Sequence, residues 1–122
     1  MIICKENIED FNKVYLHDCE LGSITVDYAN HKIKALLYCE NKNKITLDFD
    51  NVLFFSIHEF EPWGSGIYVS EVSAISNHNT IRAYLKEEYV VDIDAFMTEM
   101  LLNSGDRARI LAKEVRINEG SP

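Results

Sequence analysis

KITLDFDNVLFFSIHEFEPWGSGIY, residues 44–68, decides the kind of fold the chain takes. Ile45, Leu47 and Phe49 alternate with Thr46, Asp48 and Asp50, the period of a strand with one wet face. Asp50-Asn51 breaks the alternation, and the nearly all-apolar Val52-Leu53-Phe54-Phe55 follows. The pattern predicts one long bent strand or two abutting strands. Pro62, Trp63, Gly64 and Gly66 then make an aromatic turn, where proline fixes φ and glycine permits angles closed to other residues. Trp63 is expected to lie over the core as a lid.

Alternation extends outward in both directions. Phe11 to Leu16 predicts a first strand, ended by His17-Asp18, and Ile24, Val26 and Tyr28 mark a second from Glu20 or Leu21 to Tyr28. Ile33 to Cys39 carries apolar residues on both faces, and Asn41 to Lys44 supplies the turn into the central stretch. Ile67 to Ile75 is a further strand, closed by the polar turn Ser76 to Asn79. Ile81 to Leu85 and Tyr89 to Ile93 are a candidate pair or a single bulged run.

Residues 92–102 carry two periods at once. Ile93, Phe96, Met97, Met100 and Leu101 have helical spacing, whereas Phe96, Thr98, Met100 and Leu102 share one strand face. The strand is preferred, because Asn103-Ser104-Gly105-Asp106 suits a hairpin loop and Ala108 to Ile117 supplies its partner, with a bulge expected at Lys113-Glu114. Residues 118–122 are expected to be a loose tail. The resulting fold class is mostly β: one domain over 1–122, an antiparallel β-sandwich or partly open barrel with room for one short helix.

Composition limits function. A chain of 122 residues with 47% hydrophobic residues has the length of one cored domain, and a formal charge of −8 argues against a phosphate-binding surface. Nucleic acid is therefore not an expected partner. No segment reaches the roughly 20 apolar residues of a membrane span, and the opening MIICKENIEDF lacks the pattern of a secretion leader, so a cytoplasmic location is expected. Cys4, Cys19 and Cys39 are odd in number and without CxxC spacing, which predicts reduced thiols and no metal site.

Chemistry-bearing candidates are few. His17-Asp18 with Glu20 could shuttle protons or bind a metal, but such a dipeptide at a strand end is ordinarily a polar turn. His58, Glu59 and Glu61 beside Trp63 could grip a peptide or polar ligand from the rim. Asp48 with Asp50, and Asp92 with Asp94, are spaced as paired carboxylates, though alternating acids usually form the wet side of a strand. Arg107, Arg109, Lys113 and Arg116 are expected to balance charge internally or to rim an interface rather than to track phosphates. Gly64-Ser65-Gly66 only partly matches a nucleophile elbow, and no nucleotide, zinc or calcium motif occurs. No catalytic residue and no cofactor is expected.

FNKVYLHDCELGSITVDY (11–28), LDFDNVLFF (47–55), PWGSGIYVSE (62–71) and NSGDRARILAKEVRI (103–117) together resemble small bacterial β proteins, some of them similar to immunity proteins of contact-dependent or polymorphic toxin systems. The resemblance implies a protein that binds a cognate toxin, and it carries no catalytic residues across. The expected function is a non-catalytic protein-binding domain for a basic partner, with Glu59, Glu61 and Trp63 as contact residues. The alternatives are a ligand-binding or hydrolytic domain using His17 and His58, and a structural module that self-associates.

Overall fold

A computed structural model describes residues 1–40, 43–58, 68–76, 81–82 and 94–120. The elements are β1 (Ile2–Cys4), α1 (Ile8–Asn12), β2 (Glu20–Asp27), β3 (Lys32–Tyr38), β4 (Lys44–His58), β5 (Val69–Ile75), β6 (Phe96–Leu102) and β7 (Arg107–Gly120). Every pairing is antiparallel. One open seven-stranded sheet runs β2-β3-β4-β7-β6-β5, and β1 adds to β7 beyond the stretch that β6 occupies. The fold class is the mostly-β one that alternation predicts.

The central stretch is a single strand with a defined bend. Ile45, Leu47 and Phe49 face the main core, and Val52, Phe55 and Ile57 pack against that same core, so the inward phase changes at Asp50-Asn51. Asn51 takes a φ of 53°, a left-handed angle that asparagine tolerates better than most residues. On β7 the phase changes at the same level: Ala108, Ile110 and Ala112 face the core, then Val115 and Ile117. Asp50 opposite Glu114 and Val52 opposite Ala112 keep one register across the break. The two strands bend together. The bulge expected at Lys113-Glu114 is corrected accordingly, because the register shift lies on β4 between Val52 and Phe54.

The bend also distributes the apolar residues of the second half. Phe96 and Met100 join the main core, while Met97 packs with Leu111, Ala95 and Ile81 in a smaller cluster, supported by Phe54 and Ile75. β6 is buried on both faces, which is why its sequence mimicked a helix.

Three further expectations are overturned. Phe11 to Leu16 is not a strand: α1 ends at Asn12, and a turn leads to Leu16. Ile8, Phe11 and Val14 at three-residue intervals all meet the main core, a spacing that a strand cannot place on one face. Glu9 and Asp10 stand in the first turn, where acids favour the helix end. The tail is shorter than expected, because residues 118–120 belong to β7 and pair with Lys44 to Thr46. Ile81 and Arg82 have helical backbone rather than the extended one expected there; the rest of Ile81 to Leu85, and Tyr89 to Ile93, lie outside the described residues.

The expectation of three reduced thiols fails for two of them. Cys19 and Cys39 form a disulfide with their Cα atoms 4.3 Å apart. They directly extend the ladder in which Glu20 faces Tyr38, so the hairpin of β2 and β3 brings them together. Cys4 remains a free thiol, raised in pKa chiefly by its side-chain hydrogen bond with Glu6 and so held protonated.

Replacing Asn51 by alanine is expected to destabilise the fold by about 1 kcal/mol through the left-handed angle, with glycine close to neutral. Denaturant midpoints check both, and equal losses would place the cost in the asparagine side chain. Reducing the Cys19–Cys39 bond, which closes a sequence separation of 20, should lower stability by about 3 kcal/mol. Intact mass without reductant should show the two missing hydrogens; a full complement would refute the bond.

Candidate functional site

The curled sheet brings its two edge strands together at one point. Glu20, the first residue of β2, bridges to Tyr68, just before β5. Asp18 N–H donates to Val69 O and Val69 N–H donates to Cys19 O, both at 2.8 Å. The turn that makes this possible is Leu16 to Cys19, closed by Cys19 N–H to Leu16 O and holding Asp18 at a φ of 66°.

Residues directly opposite across neighbouring strands share a face. Tyr68, Glu20 and Tyr38 therefore form a row on the outer surface, opposite in phase to Cys19, which is buried in the core. Lys44 continues the row on β4. Tyr38 lies over Gly22: a Cβ there would stand 2.6 Å from the Tyr38 ring and would displace it. Asp18 and Tyr15 extend the patch at the turn, the Tyr15 side being 76% exposed. Tyr15 meets His17 edge to face at 6.1 Å between ring centroids. Among the described residues the seam thus presents Tyr68, Glu20 and Tyr38 on one outward surface, with exposed Asp18 and Tyr15 in the adjoining segment.

His17 has a structural task. Its Nδ1 lies 2.7 Å from Ser70 O, and a carbonyl only accepts, so Nδ1 carries the proton. Ser70 is the residue that β5 leaves out of register between Val69 and Glu71. His17 satisfies its carbonyl. Nε2 stands 3.4 Å from Asp18 Oδ1 at the surface. His58 is in β4 opposite Arg107, and Arg107, Leu101 and Glu71 step across β7, β6 and β5. The His58 backbone is therefore three strands from the one His17 touches, about 14 Å along the sheet. The sheet does not assemble the two histidines as one polar cluster along this route. Glu59, Glu61, Trp63 and Asp92 lie outside the described residues.

The paired carboxylates resolve into cross-strand ion pairs. Lys32 Nζ lies 3.3 Å from Asp50 and Lys34 Nζ 3.8 Å from Asp48, which also accepts from Asn118 Nδ2 at 3.2 Å. These groups line a shallow concavity of about 610 Å3 across β2, β3, β4 and β7. Its cation-collecting capacity is already used by lysine. Exposed pairs of this kind contribute about 0–1 kcal/mol each, and their alternation across the strands sets register more than it adds stability. Arg107 and Arg109 both bind Glu99, at 2.6 and 2.9 Å, which is the internal charge balance expected of them. Asp94 adds a hydrogen bond that helps hold the Glu6 carboxyl below its usual range, behind the larger effect of Cys4.

The sequence singled out His17, Asp18 and Glu20 but not Tyr15, Tyr38 or Tyr68 as their neighbours. The available signal was aromatic residues in polar phase beside the His-Asp turn. Which of them would meet depended on the edge-to-edge bridge.

Replacing His17 by alanine is expected to cost about 1 kcal/mol by leaving Ser70 O without its donor. Asparagine, whose side-chain amide can donate to the same carbonyl, should recover part of that loss. Amide exchange at Asp18 and Val69 reports it locally; unchanged exchange in the alanine variant would remove this role.

No protein-family model matches the chain, and no characterised protein sequence matches it closely enough to serve as a relative.

Proposed function

We propose that the chain is a protein-binding domain whose seam receives a basic partner, in the manner of an immunity protein that neutralises a cognate toxin. One observation carries the reading: the row Tyr68, Glu20 and Tyr38, with Asp18 and Tyr15 at its end, joins exposed aromatic rings to carboxylates in a chain of charge −8. Tyrosine offers a large contact area at low entropic cost, its ring accepts a guanidinium or ammonium over its face, and the carboxylates steer a cationic surface into place. The backbone hydrogen bonds beneath hold Glu20 and Asp18 in position before the partner arrives.

Glu59, Glu61 and Trp63, the contact residues expected from the sequence, lie outside the described residues. An enzymatic alternative draws less support, since His17 is committed to Ser70 and lies strands away from His58. No helix among the described residues is long and apolar enough to cross a membrane. A Cys19–Cys39 disulfide fits an oxidising compartment better than a reducing one, so it adds nothing to the cytoplasmic expectation.

The test is calorimetric titration with the product of the adjacent reading frame, at two salt concentrations. Asp18→Asn with Glu20→Gln should weaken binding several-fold and flatten its salt dependence while leaving the thermal midpoint nearly unchanged. Binding indifferent to both changes would move the interface away from the seam. Turnover of a small substrate, lost on replacing His17 in a folded protein, would replace the reading with an enzymatic one.

A further inference from the structure

The two edges of the sheet are treated differently. On β5, Ala74 N–H donates to Asn12 Oδ1 at 2.9 Å, Ser70 O accepts from His17, and both backbone groups of Val69 pair with the turn. β2 has only the Glu20 bridge. From Ser23 to Asp27 its outer edge has no strand beside it among the described residues. Natural edges are blunted by lysine, proline or a bulge, and here the register shift between Leu21 and Ser23 protects only the start. Ser23-Ile24-Thr25-Val26-Asp27 contains no lysine and no proline.

The same stretch leaves apolar surface uncovered. Val26 faces Ile33, which is fully in the core, yet Val26 is 49% exposed, and Tyr28 at the hairpin end is 89% exposed. Ile24, Val26 and Tyr28 share the phase that points to the core side, so this exposure runs along the free edge.

We propose that a second copy of the chain adds antiparallel to β2, with a twofold axis through Thr25. Five residues are then self-complementary. Thr25 faces Thr25, Ile24 faces Val26 twice, and Ser23 faces Asp27 twice. Threonine pairs and β-branched pairs are favourable across strands, and the Ser23 hydroxyl donates to a carboxylate. Asn30 already holds Asp27 in its ionised form, with its side-chain amide 2.9 Å from Oδ2, and the Asp27 pKa is lowered chiefly by that bond.

Other registers are poorer. Moving the pairing by one residue sets Ile24 against Thr25 and Ser23 against Val26, or Ile24 against Asp27 and Thr25 against Val26, which mixes polar with apolar faces. An axis at Ile24 sets Val26 against Gly22, which has no side chain to meet it. A partner's basic strand is the competing occupant, but it gains nothing from the self-matching sequence. Two chains of charge −8 repel at long range, and salt at physiological strength screens that repulsion beyond about 8 Å. Dimerisation therefore strengthens with salt, the opposite of basic-partner binding at the seam.

Sedimentation equilibrium of the intact chain, from micromolar to millimolar concentration and at low and physiological salt, tests the proposal. A monomer–dimer equilibrium that tightens with salt is expected. Val26→Lys should weaken it by about tenfold or more, since two apolar pairs are lost and a charge enters each. Asp18→Asn with Glu20→Gln, at the seam, should leave it in place, which separates this interface from the proposed partner surface. In a Cys4→Ser background, Thr25→Cys should oxidise to a covalent dimer, because facing residues on paired strands lie about 4.5–5.5 Å apart at Cα. A monomer at every concentration, a dimer untouched by Val26→Lys, or a Thr25→Cys chain that does not cross-link would each overturn the proposal. Amide protection of β2 gained only on adding the basic partner would assign the edge to that partner's strand instead.

Discussion

The pairing of β4 with β7 is the constraint on which the rest of the structure depends. It runs from Lys44 opposite Gly120 to His58 opposite Arg107, and every other strand reaches the sheet through one of these two. The inward phase of both strands changes at one level while their register holds, so the apolar residues on either side of the bend serve one main core. Val52 N–H leaves the bend to donate to His31 O, 2.9 Å away in the turn between β2 and β3. That contact ties the turn between β2 and β3 to the bend in β4.

Much of this was legible in the residues. β4 alternates cleanly before the break and β7 on each side of its own, and Gly105 at a φ of 95° sits in the loop expected between β6 and β7. The ambiguity at residues 92–102 came from a strand buried on both faces, since Met97 and Met100 serve different clusters. α1 was missed because Phe11, Val14 and Leu16 fit an alternating pattern while Ile8, Phe11 and Val14 fit a helical turn. Only packing against the core and β5 separates them.

The site was half legible. His17-Asp18 marks a turn by composition alone, but its role in satisfying Ser70 O requires the bulge in β5, which no local pattern near Ser70 announces. The disulfide was hidden for a related reason. A separation of 20 residues says nothing about proximity, whereas one hairpin register places Cys19 beside Cys39. Nonlocal register, rather than residue type, decides both.

The order of the strands along the chain bears on how the domain is made. β7 lies in the interior of the sheet between β4 and β6 and also carries β1, yet it is the last of the strands in sequence. During synthesis its three neighbours emerge before the strand that joins them. Ile3 of β1 must wait for Val115, more than a hundred residues later. Until then β4 and β6 each offer an open hydrogen-bonding edge, and the sheet is in two parts, β2-β3-β4 and β5-β6, whose strands already have each other as partners. Pairings so distant in sequence are slow to close, and unpaired strands invite association meanwhile. Completion of the sheet is therefore a single late event, with β7 arriving as the keystone of strands already waiting.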